Sequence, residues 1–233
     1  MIFRQLFHSE SSTYTYLLAD ENSRDAVIID PVLDEIDNYL LLLNQLNLTL
    51  TTCIDTHTHA DHITAAGELR ERTACKTMLG EQSHSDCITA TFKDGDSIAF
   101  GNHKLLVLHT PGHTDDSYSF FLQGPSRGLL FTGDTLLIRG TGRTDFQNGD
   151  AADQYNSLFS ILLKYPEDTC VYPGHDYKGW TSSTIGEEKR HNPRLQVRNR
   201  EGYIQQMNQL KLPNPKLMDI AVPANQACGN PAS

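Results

Sequence analysis

The chain is 233 residues long and 38% hydrophobic, enough for one large domain with a substantial core. Nineteen Lys and Arg stand against 29 Asp and Glu, a formal charge of −10, which speaks against a nucleic-acid binder. No window approaches roughly 18 uninterrupted apolar residues, so no membrane span is expected.

The N-terminal MIFRQLFHSESS has neither the apolar core of a signal peptide nor the Arg-rich run of a transit peptide. The five cysteines (Cys53, Cys75, Cys87, Cys170, Cys228) are odd in number and show no CxxC spacing. A disulfide framework or thiolate zinc site is therefore not expected, and a reducing cytosol is the default compartment.

In chain order, Met1–Phe7, Thr13–Leu18 and Ala26–Asp30 read as strands, the last closed by Pro31. Leu33, Ile36, Leu40 and Leu43 recur at helical spacing and predict a helix over 33–46. Thr51–Asp55 is a strand delivering THTHADH, and Ile63–Thr73 reads as a helix. Strands follow at 76–79, 97–100, 104–109, 117–122, 128–131 and 169–172, with a helix over Asp150–Tyr165. Beyond Tyr177 the chain is polar and interrupted by Pro193, Pro213 and Pro215. No repeat or linker is visible, so 1–233 reads as a single domain, with 178–233 as a C-terminal helix and loop embellishment. From Lys178 to Lys216 there are eight basic and three acidic residues. In an acidic protein that segment is either a solvated face or part of a pocket for a small anion.

The chemistry concentrates in His57-Thr-His59-Ala-Asp61-His62, His113 in TPGHT, Asp134 in FTGDT and His175 in YPGHD. Each follows an apolar strand-like run, and strands of one sheet end along a common edge. These ends can therefore converge although His57 and His175 lie 118 positions apart. Gly112, Gly133 and Gly174 beside them let the backbone turn sharply. Lone histidines at strand ends are usually structural, but seven candidates in this pattern point to a metal. Imidazole and carboxylate suit zinc, iron or manganese. The donors suffice for one metal or for two.

The pattern resembles the metallo-β-lactamase superfamily, with its HxHxDH and later His, Asp and His. The resemblance implies an α/β fold, the four-layer αβ/βα sandwich, with the site at the edge between two packed sheets. Within the superfamily, THTHADHITAAG, TPGHTDDSYSF, FTGDTLLIRGTGRTDFQ, VYPGHDYKG, HNPRL and VPANQACG are similar to the persulfide dioxygenases. That likeness implies one Fe(II) per chain held by His57, His113 and Asp134, a facial triad with open positions. It places His59, Asp61, His62 and His175 around the metal as hydrogen-bonding groups. The implied reaction takes glutathione persulfide, O₂ and water to sulfite and glutathione, in a protein expected to be cytoplasmic and often dimeric.

Glutathione carries two carboxylates, which call for Arg or Lys donors. Arg143, nine residues after Asp134, is a candidate, and its plain reading is an ion pair with Asp145 or Asp150. Tyr177, two residues after His175, and Arg194 in HNPRL complete the candidate substrate contacts, against ordinary packing and a solvated surface arginine. Cys228 is a thiol near a persulfide site on the family pattern, and it reads more simply as an inert cysteine. The nearest rival is a glyoxalase-II-like thiolesterase with two metals and a metal-bound hydroxide. Against it, ADHITAAG replaces the usual HxHxDHxGG and no long C-terminal helical domain is evident. The rival of another class is a non-catalytic metal-binding or redox partner protein.

Overall fold

The computed structural model describes residues 1–85, 87–213 and 217–229; Pro215 and Lys216 of the basic segment lie outside them. The chain divides into two compact units: residues 1–92, 98–104 and 214–233 in the first, and 93–97 and 105–213 in the second. No helix among the described residues is long and apolar enough to cross a membrane.

The first unit carries a six-stranded sheet in the order β1-β2-β3-β4-β5-β6. Its strands are β1 (Ile2–His8), β2 (Thr13–Ala19), β3 (Asp25–Ile29), β4 (Thr49–Ile54), β5 (Lys76–Gly80) and β6 (Ala90–Phe92). β1, β2 and β3 are antiparallel neighbours, whereas β3 to β6 run parallel. Parallel neighbours need crossovers, and helices supply the first two: α1 (Ile36–Gln45), entered through a 3₁₀ turn at Leu33–Glu35, between β3 and β4, and α2 (Ala66–Thr73) between β4 and β5. Tyr39 and Leu43 of α1 and Leu69 of α2 pack with Leu17, Ile28 and Leu50 in one apolar core. Seven consecutive buried residues make β2 a strand covered on both faces.

The second sheet has the order β12-β11-β10-β9-β8-β7. It comprises β7 (Ser97–Phe100), β8 (His103–His109), β9 (Tyr118–Gln123), β10 (Gly128–Gly133), β11 (Cys170–Pro173) and β12 (Ser183–Thr184). β10 and β11 are parallel, and their crossover is α3 (Ala151–Asn156), which runs on through a π turn at Ser157–Ile161 and a 3₁₀ turn at Leu162–Lys164. The Asp150 side chain caps that helix by accepting from the Ala152 and Asp153 amides. Leu158 and Leu162 pack with Leu130, Val171, Ile185 and Tyr203. Three further helices, α4 (Ile185–His191), α5 (Arg200–Asn208) and α6 (Met218–Gln226), make up the polar C-terminal stretch.

Two short strands lie beyond what the sequence pattern shows, and two expectations need correction. β6 and β12, three and two residues long, carry too little periodicity to be read from sequence. α2 starts at Ala66 and not at Ile63, because Thr64 is held in an extended bridge to Val32 and the Ala65 amide bonds Pro31 O. Cys87 and Cys228 form a disulfide, 141 positions apart. Local spacing is blind to it, since tertiary folding alone brings the end of α6 to the segment after β5. Cys228 is therefore not a thiol, and the cysteines do not point to a reducing compartment. Cys53, Cys75 and Cys170 are free and buried.

Candidate metal centre

In the first unit, parallel register decides which side chains meet. Ile29 pairs with Ile54, so Asp30 and the segment after β4 leave the sheet side by side. Asp30, buried and at φ 51°, accepts from the Thr56 amide (2.6 Å), the Thr56 hydroxyl (3.0 Å) and His59 Nε2 (3.1 Å). Because Thr56 gives its proton to Asp30, its Oγ1 is the acceptor for His57 Nδ1 at 2.9 Å. That fixes the His57 tautomer with the lone pair on Nε2, the form a metal needs.

The rings of His57 and His59 lie 4.2 Å apart, and those of His59 and His62 4.3 Å apart. His59, Asp61 and His62 offer ligand atoms within 4.8 Å of one another. His62 Nδ1 also bonds Asp61 Oδ2 at 2.9 Å. Burial works against a charge on His59, but Asp30, Asp55 and Asp61 outweigh it and push its pKa up to about 9. Its Nδ1 is buried with no hydrogen-bond partner among the described residues, so a donor atom here faces the cluster unsatisfied.

The same register logic operates in the second unit. β10 and β11 pair in parallel through Gly133 and Pro173, so Asp134 and His175 emerge as neighbours. His175 Nδ1 donates to Asp134 Oδ1 at 2.6 Å, while Asp134 Oδ2 lies 3.6 Å from His113 Nε2. The two carboxylate oxygens are thus divided between the two imidazoles. His113 Nδ1 donates to Arg143 O at 2.8 Å, which again leaves the lone pair on Nε2. The backbone of the GTGR loop holds both residues, since the Gly142 amide bonds Asp134 O at 2.6 Å. A Cβ at Gly142 would lie 2.3 Å from Asp134 O and 2.8 Å from the His113 ring. Gly174 is needed for room as well, because a Cβ there would reach Asp134 Oδ1 at 2.8 Å. Behind the loop, Gln154 donates to Gly142 O (3.1 Å) and accepts from the Tyr203 hydroxyl (2.7 Å).

A cavity of about 280 Å³ in this unit is lined by Asp134, Arg143, His175, Tyr177, Lys178 and Arg194 among others. All three candidate substrate contacts therefore meet beside Asp134 and His175. Their states differ. Arg143 forks onto Asp145 at 2.6 and 2.8 Å and donates to Pro213 O at 2.6 Å, so its guanidinium is already engaged. Arg194 donates to Thr141 O and Oγ1 but has no carboxylate partner among the described residues. Burial pushes its pKa down. Tyr177 is 72% exposed and stacks parallel to the His175 ring at 6.2 Å.

Residues 9–175 match the model of the metallo-beta-lactamase superfamily. The chain is 44% identical to the human mitochondrial persulfide dioxygenase ETHE1, over 98% of this chain and 89% of the relative. The chain belongs to the persulfide dioxygenase family of the metallo-beta-lactamase superfamily. Among solved members, ETHE1 from Myxococcus xanthus superposes with a TM-score of 0.95 at 55% identity, covering 99% of this chain and all of that one. A di-iron-bound form of TTHA1623 is similar at a TM-score of 0.70 and 26% identity, covering 82% of this chain and 98% of that one. Each unit of this persulfide dioxygenase family member offers donors that suit a metal: in the first, His57 with its Nδ1 engaged by Thr56; in the second, His113 with its Nδ1 engaged by the Arg143 carbonyl, and the Asp134 carboxylate oriented by His175. Sequence reasoning missed three of the supports. Asp30 left only an acidic residue closing a buried run as a signal; the Arg143 carbonyl and Gln154 left none.

Proposed function

We propose that the chain is a persulfide dioxygenase that takes glutathione persulfide, O₂ and water to sulfite and glutathione at one Fe(II). The near-full-length identity with the human enzyme carries this reading. His57 Nε2, His113 Nε2 and Asp134 Oδ2 would hold the iron, each already oriented by a neighbour. When bound, ferrous iron supplies the one-electron redox chemistry that lets O₂ react with a persulfide sulfur.

The remaining work belongs to the side chains. His175 engages Asp134 Oδ1 and keeps Oδ2 as the presented oxygen. Arg194, a half-buried cation with no carboxylate partner among the described residues, suits one glutathione carboxylate, with Lys178 adding charge and the Tyr177 hydroxyl a further donor. Arg143 lines the same cavity and would contribute only as Asp145 yields its fork. A homodimer is the setting we propose.

The second reading is a binuclear site, favoured by the unsatisfied His59 Nδ1 and by the His59, Asp61, His62 cluster. One iron is preferred because His57, His113 and Asp134 would make up the two-imidazole, one-carboxylate set suited to ferrous iron, each already oriented by a neighbour. Anaerobic loading with Fe(II), metal analysis, and parallel assays of oxygen uptake with glutathione persulfide and hydrolysis of lactoylglutathione separate the readings. One iron per chain with sulfite as product is expected; two metals with thioester hydrolysis overturn it. Ala at His57, His113 or Asp134 should remove most iron, whereas His175→Ala should lower activity and retain metal.

A further inference from the structure

We infer that Asn225, on the C-terminal helix α6, is the positioning residue that sets the backbone of the HxHxDH loop. This rests on the reading that His57 ligates the metal. The loop lies between β4 and α2, and the side chain that holds it comes from more than 160 positions away. Asn225 is 3% exposed. Its Nδ2 donates to His59 O at 2.9 Å and to His62 O at 2.8 Å, and its Oδ1 accepts from the Thr64 amide at 2.8 Å. Two donors and one acceptor on a short planar group match two carbonyls and one N–H, and no other side chain of this length offers that set. Three backbone groups at the metal loop are thereby satisfied by one residue.

The helix end that presents Asn225 is itself fastened. The Gly67 amide donates to Cys228 O at 2.9 Å, the disulfide ties Cys228 to Cys87, and a Cβ at Gly229 would lie 2.2 Å from Thr64 O. The amide is thus clamped against a loop bearing His57, His59, Asp61 and His62, while the cavity with Tyr177 and Arg194 draws on other residues. Loss of Asn225 should loosen the ligands and leave the substrate contacts intact.

The test uses full-length metal-free protein and Co(II), whose visible absorption reports coordination. Asn225→Ala should raise the apparent Co(II) Kd about tenfold or more, the range found on loss of groups that orient ligands. Its Co(II) spectrum should change and kcat fall, with the persulfide KM within twofold of wild type. Ile220→Ala, exposed on the same helix, should change neither. Asn225→Asp keeps the acceptor for Thr64 but turns a carboxylate towards two carbonyls, and should weaken Co(II) as well. A folded Asn225→Ala that binds Co(II) as wild type does, with the same spectrum, overturns the inference. If both variants fail to fold, hydrogen exchange on the wild type decides: the Thr64 amide should be protected already in the metal-free protein, and unprotected exchange refutes the clamp. Absence of Co(II) binding by the wild type would instead sink the metal-site reading, with the exchange result still deciding on Asn225.

Discussion

Two arginines nine and sixty residues beyond Asp134 look alike in sequence, yet their surroundings assign them different work. Arg143 has its charge matched by Asp145, and its carbonyl, not its guanidinium, touches His113. Arg194 is a half-buried cation that lacks a carboxylate partner among the described residues. A charge-assisted contact to a carboxylate is worth about 1.5–3 kcal/mol. Arg194→Ala should therefore raise KM for glutathione persulfide roughly ten- to hundredfold with iron retained, and an unchanged KM would mark it as structural. Asp20 illustrates a carboxylate at work on stability. Amides of Asn102, Asn22 and Ser23 donate to it and hold its pKa down at about 2, against an ordinary 3.8. A depressed carboxylate stabilises the fold above its unfolded pKa, and that contribution disappears as pH falls through the folded value. Urea midpoints of the wild type should thus fall towards those of Asp20→Asn between about pH 4 and 2; parallel curves would show that Asp20 contributes nothing.

At the scale of elements, the paired parallel strands do most of the placing. β3 with β4 brings Asp30 to Thr56, and β10 with β11 brings Asp134 to His175. The GTGR loop then acts as a backbone splint for His113 and Asp134. α6 is held chiefly by its C-terminal end, through Asn225 and the Cys87–Cys228 bond. A disulfide closing so long a loop typically contributes about 2–4 kcal/mol. For a chain of this size, reduction or Cys87→Ser should lower the melting temperature on the order of 5–15 °C. Equal melting of the oxidised protein and of Cys87→Ser would exclude a stabilising role.

For the molecule as a whole, reaction class hinges on whether the bound metal cycles. A hydrolase gains nothing from O₂ and works with zinc, whereas an oxygenase needs a metal with an accessible redox change. Protein stripped and reloaded with Fe(II) should consume oxygen and release sulfite; the zinc form should do neither. Thioester hydrolysis by the zinc form, with no oxygen uptake by the iron form, would transfer the chain to the glyoxalase II class.

Most of the α/β pattern was legible along the chain, because long strands and α1 and α3 write their burial as periodicity. The spacing from HTHADH to YPGHD marked a metal centre, since donors placed after strands keep their place whatever the loops do. The family's motifs carried the choice of iron and persulfide. Tertiary structure alone decided which contacts serve those donors: Asp30 under Thr56 and His59, the Arg143 carbonyl on His113, Asn225 across the loop, and Cys87 bonded to Cys228. It also separated a compensated Arg143 from an uncompensated Arg194. These depend on which chain segments meet in three dimensions and on which lone pair or proton each group has left to give, and neither quantity is carried by local residue order.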